Sequence, residues 1–169
     1  MSQRSPIESL IHAEQWSPAR IRIRAALKDE PDSHWLLTRL GLTCYEQRKY
    51  GVALRYHDQA LALAPNCPLA LWDKAGALQM LGRHAEALEL YRRLVRRRVT
   101  SIARGPCGEG LAWARGFVAD CYLRMADSFE ALGKSPDSLR SFEKHLEMRG
   151  PGCHSIYPLR SLRRRHRLA

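Results

Sequence analysis

Lysine is scarce in this 169-residue chain. Five of its 28 basic residues are lysine and the other 23 are arginine, against 17 acidic residues, for a formal net charge of +11. Charge of that sign suits acidic or phosphate-rich partners, because such side chains neutralise phosphates and release counterions. So strong a skew toward arginine also follows from an arginine-biased coding background, so only the clustering of the charge bears on function. Cysteine is sparse and unpaired: Cys44, Cys67, Cys107, Cys121 and Cys153 are odd in number, scattered, and form no C-x-x-C pair. That excludes a disulfide framework and reads as reduced thiols. No run of 18 apolar residues occurs, and the opening MSQRSPIESLIHAEQW lacks an apolar core of signal-peptide length. A membrane span and export are therefore not expected, and a cytoplasmic location is. A Gly-rich phosphate loop, G-x-S-x-G and H-E-x-x-H are all missing, so no enzyme, catalytic residue or cofactor is expected. Cys107, Cys121, Cys153 and His154 carry soft ligand atoms, yet their spacing is not that of a zinc module, and no metal is expected.

What the chain does contain is a repeat. Shifted on itself by 34 residues, it aligns Trp16, Tyr50 and His84, then Ala19, Ala53 and Ala87, then Ile23, His57 and Tyr91. Ala26, Ala60 and Leu94 follow, then Leu27, Leu61 and Val95, and Pro31 and Pro65 close two of the units. Within each unit the apolar residues keep helical spacing, and a short polar or Gly-containing break divides the unit into two helices. Each pair alone leaves an apolar face bare, so the pairs must stack. Gly82, Leu88, Tyr91 and Val95 recur as Gly133, Leu139, Phe142 and Leu146, displaced by 51 residues rather than 34. The difference is an insertion between the third and fourth units. Leu88 to Ile102 and Leu111 to Leu132 are both compatible with helix, whereas Arg104 to Gly110 (RGPCGEG) is rich in breakers. The pattern predicts that the second helix of unit three and the first of unit four are each lengthened by about two turns into a protruding antiparallel hairpin. A loose loop is the alternative.

These columns resemble the tetratricopeptide repeat family, whose units carry a bulky residue, Leu-Gly and a second bulky residue in one helix. The other helix carries aromatic, Ala, aromatic, Ala and a closing Pro. Unit two fits with Leu37, Leu40, Gly41, Cys44, Tyr50, Ala53, His57, Ala60 and Pro65; unit three fits with Leu71, Ala75, Leu78, Gly82, Ala87 and Tyr91 but lacks the Pro. The resemblance implies an all-α, right-handed α-solenoid of about four helix pairs over residues 1–153. The units fall at about 1–33, 34–67, 68–101 and 119–150, with the insertion at 102–118. Residues 154–169 are expected to form a basic capping helix or tail.

In such arrays the first helices line an inner groove, facing it with the second, fifth, sixth, ninth and twelfth residues of each unit. Carried onto this chain, the resemblance implies partner-binding by Trp35, Arg39, Leu42, Tyr45, Leu69, Trp72, Asp73, Arg124 and Asp127. For Trp35 and Trp72, packing against a neighbouring unit is the competing reading. Some members clamp a peptide carboxylate with groove Lys, Arg and Asn. Thr38, Leu42, Asp73 and Gly76 stand where several of that set would be, so a chaperone-tail adaptor is disfavoured. The expected function is a non-enzymatic adaptor that holds a peptide or helix of another protein, acidic or apolar-acidic in character. Nucleic acid is the alternative partner. It would bind through a basic patch of Arg92, Arg93, Arg96 and Arg97 together with Arg163, Arg164 and Arg165, although arginines on a helix are commonly its solvent face.

Overall fold

The computed structural model describes residues 4–105 and 107–158, and every regular element among them is an α-helix. The chain divides into two compact units, residues 1–86 and 87–169. The first contains α1 (Arg4–His12), α2 (Trp16–Asp29), α3 (His34–Glu46), α4 (Tyr50–Leu63) and α5 (Pro68–Met80), and α6 (His84–Val95) begins in it. The second contains α7 (Val99–Ala103), α8 (Leu111–Ala131) and α9 (Ser135–Met148). Successive helices pack in pairs: α1 on α2, α3 on α4, and α8 on α9.

The repeat columns are the core. Ala19, Ala53 and Ala87 are all 0% exposed, and so are Ile23, His57 and Tyr91 in the next bulky column. Phe142 continues that column and closes a cluster with Leu123 and Ala126. Burying one such side chain contributes about 1.5–3 kcal/mol, so each helix is held mainly by its neighbours. His57 has no hydrogen-bond partner on either ring nitrogen, and a Cβ built on Gly41 would lie 2.3 Å from its Cε1. The small residue of the Leu-Gly pair is thus the room the imidazole needs.

A second register appears only in the backbone. Glu14, Arg48, Gly82 and Gly133 all have positive φ, between 55° and 75°, and stand 34, 34 and 51 residues apart. Directly after each, an amide donates back into the first helix of its pair: Gln15 to Leu10, Lys49 to Cys44, Arg83 to Leu78 and Lys134 to Phe129, at 2.8–2.9 Å. This left-handed closure satisfies carbonyls that the helix end would otherwise orphan. Its presence after α1 makes α1 and α2 a full pair, though the first helix of that unit matches the motif poorly.

The insertion is built differently from the symmetric hairpin. The first helix of unit four is lengthened, 21 residues starting at Leu111 rather than near 119, but α6 stops at Val95 and the chain turns at Arg98, which is extended. Residues 99–103 form α7, which packs on α8 with Ile102 at 0% exposure and Ala103 at 6%. A straight continuation of α6 would have carried these apolar residues into solvent, so burial ends the helix despite its favourable composition. After α9 the chain is irregular, and residues 149–158 run back along α8. The expected capping helix at 159–169 lies outside the described residues. No helix among the described residues is long and apolar enough to cross a membrane.

Candidate functional site

In the first unit, α3 and α5 lie against each other and carry most of the expected partner-binding residues. Pro68 opens α5 at its first turn, where its missing N–H costs nothing. Leu42, Tyr45, Leu69, Trp72 and Asp73 are half-buried on these two helices. The Tyr45 ring packs over Gly76, 3.6 Å from where a Cβ would stand, an ordinary contact distance. Tyr45 also meets Tyr50 edge-on, with ring centroids 5.3 Å apart.

Two of the expected residues are placed otherwise. Trp35 is only 6% exposed, and the Arg39 guanidinium lies over its ring at 5.5 Å. Trp35 is therefore packing, the competing reading for this position. Arg39 is bound to Glu8 of α1, with Nε and Nη2 2.8 and 2.7 Å from one carboxylate oxygen. Its charge ties α1 to α3 and does not face a ligand freely. Glu8 was not foreseen, because its column in the first unit has no recognisable motif residue.

Asp73 is the group on this face whose chemistry is unusual. Burial pushes its carboxyl up to about 7, against the opposing pull of Arg39, with Cys67 and Glu46 adding to the rise. Its Oδ2 is shielded from solvent and has no hydrogen-bond partner. A buried acceptor left in this state is expensive, and it is satisfied only when a donor reaches it.

In the second unit, Arg124 and Asp127 are half-buried on α8, and the Arg124 guanidinium lies 5.5 Å over the Tyr157 ring. Arg92 and Arg93 are exposed on α6, Arg96 is exposed just beyond its end, Arg97 is half-buried, and Arg92 also covers Phe129 at 5.5 Å. An open depression of about 520 Å³ is lined by Arg97, Arg98, Thr100, Ser101, Arg104 and Gly105. Arg163, Arg164 and Arg165 lie outside the described residues.

The description of the tetratricopeptide repeat family matches residues 38–99. Those residues carry the tetratricopeptide repeat pattern. A TPR repeat-containing thioredoxin, TTL4, of Arabidopsis thaliana is 29% identical over 119 residues, which is 64% of this chain and 16% of that protein. The chain thus spans about a sixth of the length of that curated relative. Among solved structures, the protein titled MamA 41-end from Desulfovibrio magneticus RS-1 superposes with a TM-score of 0.66 at 16% identity, covering 87% of this chain and 73% of that one. MamA AMB-1 gives 0.61 at 20% identity over 84% and 74%. At these identities the likeness shows the solenoid fold alone.

Proposed function

We propose that this protein is a non-enzymatic adaptor that holds an extended peptide or a helix of a partner against the face shared by α3 and α5. The observation that carries the reading is Asp73, whose Oδ2 is shielded and without a hydrogen-bond partner, next in the chain to the half-buried Trp72. Groups that weaken a fold in this way are retained where a ligand completes them. Leu42, Leu69 and Trp72 would take apolar side chains, Tyr45 would flank them, and Asp73 would accept a hydrogen bond from the partner. The acidic segment expected from Arg39 and Arg124 loses that basis, since Glu8 engages the first and Tyr157 lies beneath the second.

Affinity capture from the native source, run in parallel with wild type, Trp72→Ala and Asp73→Asn, tests the reading. Trp72→Ala should lower recovery of the identified partner by about tenfold or more, with far-UV circular dichroism unchanged. Equal recovery by all three proteins sinks it. Running the capture at two salt concentrations also examines the second reading, polyanion binding, for which the Arg97–Arg98–Arg104 depression is the supporting observation. Nucleic acid held there would be lost steeply as salt rises and would be indifferent to Trp72→Ala.

A further inference from the structure

The segment 149–158 follows one face of α8, and both its backbone and its side chains make the contacts. The His154 amide donates to the Ala112 carbonyl at 3.1 Å. One turn on, the His154 carbonyl rests on Gly116, where a Cβ would stand only 1.9 Å from its oxygen. A further turn on, the two oxygens of Asp120 accept from Ser155 Oγ at 2.5 Å and from the Ile156 amide at 2.9 Å. Arg149 donates to Ser155 Oγ at 3.0 Å and to the Tyr157 carbonyl. The Tyr157 ring lies under Arg124 and against the Leu123, Ala126 and Phe142 cluster. Ala112, Gly116, Asp120 and Leu123 with Arg124 fall at helical spacing on a single stripe.

The segment is irregular and bends at Ile156 and Tyr157, yet it meets the helix at alternate residues. Ser155 and Tyr157 point to the helix, whereas Ile156 is 70% exposed and His154 is exposed. Main-chain bonds with pockets for alternate side chains are how extended peptides are recognised generally. Asp120, 2% exposed, has both carboxylate oxygens committed to this segment, and burial raises its pKa against those two bonds. Simple closure of the last helix pair would require only apolar cover, which Leu146 and Tyr157 supply.

We propose that this stripe of α8 is a binding site for an extended segment with a serine-x-aromatic pattern, that residues 154–157 occupy it as an internal stand-in, and that such a segment of a partner protein displaces them. The partner's hydroxyl and amide would take the Asp120 oxygens, its aromatic ring the Arg124 pocket, and its backbone the gap at Gly116. The inference extends the peptide-binding reading to the last helix pair, but its test uses residues of α8 and the segment only, so either can fail alone. Gly150, Pro151 and Gly152 link α9 to the segment. A tether that short sets an effective concentration in the mM range, which weakens a competing peptide by roughly tenfold when its own Kd is near 100 μM.

The probe is a fluorescein-labelled peptide with the sequence of residues 150–158 carrying Cys153→Ser, titrated into full-length protein and read by anisotropy. Ser155→Ala combined with Tyr157→Ala should release the internal segment and bind the peptide about tenfold tighter than wild type. Adding Gly116→Ala to that variant should abolish binding, because the methyl group fills the backbone seat while favouring helix. Helix content by circular dichroism accompanies each titration. No gain over wild type overturns the proposal, and so does loss of helix on release, which would make the segment structural. A concentration-dependent wild-type dimer that Gly116→Ala dissociates would overturn the partner in favour of segment exchange between copies.

Discussion

At Gly41 the side chain is missing because His57 fills its place, and the two positions are coupled through that space. An added methyl at 2.3 Å from the imidazole, in a site with 0% exposure, must push the ring off its rotamer. Gly41→Ala should therefore cost about 2–4 kcal/mol despite the better helix propensity of alanine. If the clash is the cause, the same change made in a His57→Ala background costs much less, and urea denaturation of the double-mutant cycle shows strong non-additivity. Additive costs would refute the coupling. The sequence made His57 legible as a core residue, since it shares a column with Ile23 and Tyr91. It could not reveal that the ring would be unpartnered, because that depends on what the neighbouring helices do not offer. For the same reason it placed Trp35 and Asp73 on one list, although the first is covered and the second has a shielded oxygen.

At the scale of elements, the left-handed closure after each first helix is conserved in geometry but not in residue type within this chain. Gly82 and Gly133 adopt it without strain, whereas Arg48 and Glu14 carry a Cβ in a region that costs L residues about 1–2 kcal/mol. Arg48→Gly should raise stability by roughly 0.5–1 kcal/mol, part of the relief being offset by the flexibility of glycine in the unfolded chain. An unchanged or lowered urea midpoint would contradict this. Pairing by alternating columns was readable from Ala53, Ala60 and their counterparts because identical burial selects similar residues. The closure was not, since its register is written in dihedral angles. The break at 96–98 escaped for another reason: three arginines favour helix locally, and only the burial of Ile102 against α8 tells the chain to stop. The segment at 154–157 likewise reads as a pattern break, and nothing in the sequence pairs it with Asp120.

For the whole chain, two buried titrating groups act in opposite directions on stability. Burial lowers His57 from 6.5 to about 4, so its contribution is complete above pH 6.5 and is lost as pH falls toward 4. Burial raises Asp73 from 3.8 to about 7, so its contribution is complete below pH 3.8 and is lost as pH rises toward 7. They are worth about 3 kcal/mol for His57 and about 4 kcal/mol for Asp73 over their ranges, and between pH 4 and 6.5 the two slopes nearly cancel. The single variants should uncover them. Asp73→Asn leaves the histidine alone, so that protein should lose stability on acidification from pH 6.5 and exceed wild type by a few kcal/mol near pH 7.5. His57→Phe leaves the carboxyl alone and should lose stability as pH rises from 4 to 7. Other titrations are shared by all the proteins, so differences between urea midpoints measured at pH 4, 5, 6 and 7 isolate these two groups. If Asp73→Asn tracked wild type at every pH, Asp73 would be an ordinary solvated carboxylate, and the case for a donor arriving with a partner on the α3 and α5 face would fall with it.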